Sequence, residues 1–259
     1  MNLDGKVAIV TGSGGSGTGR ATALRFAREG AAVVISDRND AGGRESAALI
    51  RADGGRAAFC HADVRVEADI RALISFAEST FGGVDLLVNN ASSPDGMGFL
   101  TGWIDAVSIE ILGPMHATLA AIEAMRKRGG GAIVNVGSTS ALGHGRKHSW
   151  WPAYDVGKMA QIRLTTTLAS LRERENIRVN CVVPAWIASP GPKEYWESLT
   201  PEQRRERGVP ETLLSLDEVA EAILRLATDE SLSGRILVLW NDQAPRLIPV
   251  GDPGYEALE

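Results

Sequence analysis

The feature that most restricts the fold of this chain is a regular alternation of two kinds of segment. Seven short apolar runs, at residues 6–11, 31–36, 56–61, 84–88, 132–136, 177–183 and 235–240, are separated by stretches of helical periodicity. Those stretches cover residues 20–29, 39–52, 68–80, about 102–128, a segment through Tyr154 and Lys158 to about 174, and 217–228. Runs that are apolar at nearly every position describe strands covered on both faces. Such strands joined by helices specify a parallel sheet with helices on either side, and right-handed crossovers leave a doubly wound α/β fold as the solution. The 259 residues are therefore read as one domain, 1–259, around a seven-stranded parallel sheet, with no internal repeat or linker.

The first run ends at once in Gly12-Ser13-Gly14-Gly15-Ser16-Gly17-Thr18-Gly19, directly before a helical pattern. Glycines at a strand-to-helix turn let the backbone approach a pyrophosphate, and the helix start behind them offers free N–H groups and a positive dipole end. Asp37 closes the second run, where a carboxylate can accept hydrogen bonds from ribose hydroxyls and repel a 2′-phosphate. That favours NAD over NADP. Arg38 beside it argues the other way, since a guanidinium can host the phosphate, unless it is simply solvated. Asp63 is either placed for the adenine edge or is a turn aspartate.

Further along, Tyr154 and Lys158 stand four residues apart, so on a helix they share a face. An ammonium beside a phenol favours the phenolate and lowers the tyrosine pKa, which makes the pair a candidate acid/base. A net charge of −5 gives no electrostatic reason to expect nucleic acid or an anionic membrane as partner. No apolar run is long enough to cross a bilayer, and residues 1–7 carry no secretory pattern, so a cytoplasmic protein is expected. Cys60 and Cys181 lie in strand-like runs and read as buried thiols. His144 and His148 lack an acidic neighbour or a helix, and no metal site is expected.

Together the marks Thr11-Gly12…Gly17-Thr18-Gly19, Asp63-Val64, Asn89-Asn90-Ala91, Ser138, Tyr154…Lys158 and Asn180-Cys-Val-Val-Pro184 resemble those of the short-chain dehydrogenase/reductase family, in order and over nearly the whole chain. The resemblance implies a nicotinamide cofactor and hydride transfer between a secondary alcohol and a ketone. It implies that Tyr154 is the general acid/base and Ser138 binds the substrate oxygen. Lys158 would hold the nicotinamide ribose and lower the tyrosine pKa. The implied cofactor contacts are Gly12, Ser13, Gly17, Thr18, Gly19, Asp37, Arg38, Asp63, Val64, Asn90, Ala91, Tyr154, Lys158, Pro184, Ala185 and Ile187. The family commonly forms tetramers through its long helices, so a homo-oligomer, tetramer or dimer, is expected. Ala117, Ala120, Ala121 and Ala124 would permit close packing.

Three departures stand out. The glycine turn carries one residue more than Thr-Gly-x-x-x-Gly-x-Gly, and must bulge. Ser92 stands where the family has glycine after Asn-Ala. Glu110 occupies the position of a commonly catalytic asparagine. Glu110 either pairs with Lys158 and keeps a proton relay, or clamps the lysine and weakens catalysis, leaving a dinucleotide-binding protein. Pro114 could kink the helix there. On the substrate side, residues 185–214 follow a strand end and read as an irregular lid. Trp150, Trp151, Trp186, Tyr195 and Trp196 gather in these segments. They either wall a pocket for an apolar or ring-bearing alcohol, or pack under the lid or at a subunit contact. Arg146 and Lys147 at the rim would admit an anionic group. An NADPH-dependent carbonyl reductase is the alternative enzyme.

Overall fold

The structure, a computed structural model, describes residues 2–93, 101–142 and 151–249. Strand β1 (Val7–Thr11) is buried along its whole length and leads into helix α1 (Thr18–Arg28). There follow β2 (Ala32–Asp37), α2 (Asp40–Ala52), β3 (Arg56–His61), α3 (Glu67–Phe81) and β4 (Leu86–Asn89). Next come α4 (Trp103–Val107), a π-helical turn (Ser108–Leu112), α5 (Gly113–Lys127) and β5 (Gly131–Val136). After β5 the chain makes a 3-10 turn (Thr139–Leu142) and then α6 (Pro152–Thr167), α7 (Leu171–Glu175) and β6 (Ile177–Pro184). The last elements are α8 (Pro190–Glu197), α9 (Pro201–Arg207), α10 (Leu216–Thr228), β7 (Ile236–Leu239) and β8 (Arg246–Leu247).

The strand order is β3-β2-β1-β4-β5-β6-β7-β8, and every pairing from β3 to β7 is parallel. Successive residues of each strand feed opposite layers. Val10, Ile35, Val88, Val134 and Val182 pack with Phe26 of α1, Ile50 of α2 and Ile223 of α10. Their neighbours Ile9, Val34, Leu87, Ile133 and Val179 pack with Ile70 and Leu73 of α3 and Ala121 and Met125 of α5. Each buried aliphatic side chain contributes about 1.5–3 kcal/mol relative to exposure. The chain changes direction across the sheet between β1 and β4, and the crevice at their carboxyl ends is where this architecture holds ligands.

The sheet has eight strands rather than seven. The addition is the two-residue β8, antiparallel on the β7 edge, formed by part of the chain after Trp240. Residues 185–214 are not irregular but carry α8 and α9. The long helical region is interrupted by the π turn, with Glu110 inside it, while Gly113 and Pro114 begin α5. Both cysteines are free thiols, Cys181 fully buried and Cys60 half-buried. Among the described residues no helix is long and apolar enough to cross a membrane.

Candidate active site

Gly12 ends β1 with φ of 66°, and a Cβ on it would lie 2.6 Å from the Ala91 Cα, so only glycine lets the two loop backbones meet here. Asn90 fastens this junction by donating from Nδ2 to the carbonyls of Thr11, at 2.9 Å, and Gly12, at 3.1 Å. Thr11 Oγ1 in turn accepts from the amides of Asn90 and Ala91, both at 3.1 Å. Gly19, at the start of α1, packs on the same point, where a Cβ would meet the Gly12 carbonyl oxygen at 2.3 Å.

The extra residue of the turn is absorbed away from the cleft. Ser13 is fully buried, donating from Oγ to the Val10 carbonyl at 2.7 Å and from its amide to the Ser36 carbonyl at 3.1 Å. Ser13 was expected at the cofactor; its side chain instead ties β1 to β2. The Gly14 amide donates to Asp37 Oδ2 at 2.8 Å, and the Gly14 carbonyl accepts from Arg20 Nη2 at 3.2 Å. Arg20 also reaches Ser46 and Glu45 on α2, which anchors the bulge. Nothing in the sequence singled Arg20 out, because its role depends on α2 lying alongside.

A cleft of about 480 Å³ opens beyond the turn. Of the expected cofactor residues, Gly12, Gly17, Thr18, Gly19, Asp37, Arg38, Asp63, Val64, Asn90 and Ala91 line it, joined by Ser92 of the altered Asn-Ala-Ser motif and by Asn39, Arg65 and Ile109, which the motifs did not indicate. A Cβ on Gly15 would meet nothing within 4 Å, and α1 starts after Gly17, which supplies no side-chain cap. An uncapped helix start facing open space suits a phosphate group. Asp37, at the other end, also accepts from the Asn39 amide at 2.9 Å. Asp63 is engaged by Arg65, whose guanidinium holds its carboxyl below the usual range. The residues fit a dinucleotide. Pro184, Ala185 and Ile187 lie outside the cleft wall, at the end of β6; the Ala185 amide donates to the Leu239 carbonyl and Ile187 bridges to Leu214.

Ser138, Tyr154 and Lys158 come together at the carboxyl edge of the sheet. Ser138 follows β5 and begins the 3-10 turn, where Ser140 donates to its hydroxyl from Oγ at 3.0 Å and from its amide at 3.2 Å. Pro152 starts α6, which puts Tyr154 in the first turn and within hydrogen-bonding reach of Ser138. Lys158, one turn on, is 2 % exposed, donates from Nζ to the Val136 carbonyl at 2.9 Å and sits 5.3 Å from the Tyr154 ring centroid. Its Nζ also pairs with Glu110 Oε2 at 2.8 Å, and Glu110 is completely buried.

This pair sets the electrostatics. Burial is the largest single effect and works against both charges, but Lys158 with the Ser92 and Ser93 hydrogen bonds takes Glu110 below its ordinary value, and Glu110 with Tyr154 takes Lys158 above its own. Tyr154 departs from the sequence expectation. Burial raises its pKa and Glu110 adds to that, and together they exceed the lowering by Lys158.

The aromatic cluster divides. Trp186 and Tyr195 stack with centroids 6.1 Å apart. Trp196 is taken up within the segment 185–214: its Nε1 donates to the Pro210 carbonyl at 2.9 Å, and the Arg204 guanidinium lies 3.3 Å from its ring centroid. Trp151 is half-buried at the start of α6. Residues His144, Arg146, Lys147, His148 and Trp150 lie outside the described residues.

Comparison with known proteins follows the same lines. The sequence model of the family described as short chain dehydrogenase matches residues 6–199. An uncharacterized oxidoreductase of Thermotoga maritima is 37 % identical over 254 residues, covering 92 % of this chain and 96 % of its own. The 7alpha-hydroxysteroid dehydrogenase of Escherichia coli K12 is 33 % identical over 247 residues, with 92 % and 94 % covered. A solved 7 alpha-hydroxysteroid dehydrogenase in complex with NADH and 7-oxo glycochenodeoxycholic acid superposes with a TM-score of 0.83 at 30 % identity, covering 95 % of this chain and 97 % of that one.

Proposed function

The chain belongs to the short-chain dehydrogenase family and is an oxidoreductase, and we propose that it interconverts a secondary alcohol and a ketone with NAD(H). The observation that carries this reading is the convergence of Ser138, Tyr154 and Lys158 at one sheet edge beside the cleft. The nicotinamide, when bound, supplies the hydride acceptor or donor. The Tyr154 hydroxyl gives or takes the proton at the substrate oxygen, and Ser138, oriented by Ser140, donates a hydrogen bond to that oxygen. Lys158 uses two of its three protons on Val136 and Glu110, which leaves one to direct at a ribose hydroxyl.

Asp37 at the far end of the cleft supports NAD, while Arg38 on the same wall supports the NADPH-dependent reductase as the alternative. The Glu110–Lys158 contact supports a second reading, dinucleotide binding with weakened turnover. The intact serine, tyrosine and lysine set outweighs it. The hydroxysteroid dehydrogenases among the relatives and the stacked Trp186 and Tyr195 support an apolar, ring-bearing substrate. We assign residues 185–214 as a substrate lid and the cytoplasm as the site of action.

The test is turnover of secondary, cyclic and steroid alcohols with NAD and NADP in parallel, followed by nicotinamide absorbance. Reduction of NAD by a ring-bearing alcohol is the expected result. Faster reduction of NADP would transfer the assignment to Arg38, and binding of neither dinucleotide would overturn it.

A further inference from the structure

A carboxylate with no solvent exposure is costly unless every lone pair finds a donor. Glu110 finds four. Oε2 accepts from Lys158 Nζ at 2.8 Å and from Gln161 Nε2 at 3.2 Å. Oε1 accepts from the Ser92 hydroxyl at 2.7 Å and the Ser93 amide at 2.6 Å. Two of the three departures from the family pattern, Ser92 and Glu110, therefore meet in one hydrogen bond. A glycine at position 92 would leave Oε1 with the Ser93 amide alone. The backbone of α6 is drawn against the π turn at the same place, where a Cβ on Gly157 would lie 2.3 Å from the Glu110 Cβ.

We propose that Glu110 is a positioning residue, the fixed counter-ion of Lys158, which binds the ammonium, Gln161 and the Ser92–Ser93 backbone into one unit bordering the cleft. The proposal rests on Tyr154 being the acid/base group. It means that the phenol faces a paired lysine rather than a bare one. Among the described residues the groups acting on Tyr154 are Lys158 and Asp155 on α6, Glu110 on the π turn and the Ser138 hydroxyl after β5. Beyond Lys158 lies Cys181 on β6, whose thiol burial pushes up to about 12 and so keeps neutral. Burial, Glu110 and Asp155 favour the phenol form, and Lys158 and the Ser138 hydrogen bond oppose them. Alcohol oxidation, which needs the phenolate, should accordingly gain rate toward alkaline pH.

The deciding experiment is a spectroscopic titration of tyrosinate absorption, wild type minus Tyr154→Phe, with circular dichroism following the fold. The difference isolates Tyr154 from the other tyrosines and involves neither cofactor nor substrate. The expected midpoint lies above the ordinary value of about 10, and in Glu110→Gln, referenced to its own Tyr154→Phe partner, it falls by about one pH unit or more. A wild-type midpoint below about 10 overturns the counter-ion role, and so does an unchanged midpoint in Glu110→Gln. Should Glu110→Gln not fold, Glu110→Asn, equally neutral and the residue the family carries there, is titrated in the same way and should show the same fall. A protein that titrates as expected but oxidises no alcohol would refute the proposed reaction and leave the pairing intact.

Discussion

Lys158 shows how one side chain carries both chemistry and stability. Replacing it by methionine keeps the apolar stem and strands Glu110 without its cation, which should lower the unfolding free energy by about 3–5 kcal/mol. The loss should depend on pH. Glu110 titrates below its ordinary value, so the pair's contribution is present above about pH 4.3 and fades as pH falls through the lowered value. Lys158 titrates above its own, so on the alkaline side the contribution persists below about pH 10.4 and fades as pH rises through the raised value. Urea unfolding of wild type and Lys158→Met across pH should show a gap that closes in acid; a gap unchanged at the acid end would contradict the pairing. The grouping of Ser138, Tyr154 and Lys158 was legible in the sequence, Tyr154 and Lys158 from their four-residue spacing on a helix and Ser138 from the family resemblance. The Ser92–Glu110 bond was not, since it joins two elements through packing. The direction of the Tyr154 titration was missed for the same reason, because burial outweighs the neighbouring lysine.

At the scale of elements, residues 185–214, proposed as a lid, read as irregular in the sequence but carry two helices. These helices are eight and seven residues long and each begins with proline, Pro190 and Pro201. Prolines at a helix start look like breakers in a sequence, and segments this short show little periodicity. What makes them hold is local: the Thr200–Gln203 capping box, the Arg204–Trp196 contact, and a root where Leu214 and Ala188 exchange backbone hydrogen bonds with Trp186 and Leu214. Asn241 clasps that root, accepting from the Trp186 amide at 3.2 Å and donating to its carbonyl at 2.7 Å. Asn241→Ala should speed limited proteolysis within residues 185–214 and raise KM for the alcohol while leaving KM for the dinucleotide within about twofold. Equal rises in both would contradict a lid confined to the substrate. The glycine turn was legible as a phosphate cradle, whereas the path of its extra residue depended on Arg20 and α2.

For the whole molecule, the alternation of runs and helices specified the parallel sheet, because each strand is apolar on both faces. The two-residue β8 was invisible, being too short to carry a pattern. Subunit contact was argued from the small residues of α5, yet Ala117, Ala121 and Ala124 face the core. Periodicity tells which residues share a face but not which face turns inward. The exposed apolar residues on these helices are Leu112, Met115 and Leu119, with Val156 and Met159 on α6. If a homo-oligomer forms through these helices, Leu119→Glu with Met159→Glu should reduce the mass in light scattering to that of a monomer. An unchanged assembly would move the contact elsewhere. The central claim, that Ser138, Tyr154 and Lys158 form a working acid/base site beside a dinucleotide cleft, is met most directly by measuring NADH binding and alcohol oxidation side by side in Tyr154→Phe. Binding within about twofold of wild type with turnover reduced at least about 100-fold is the predicted result. Turnover that survives the substitution would contradict it.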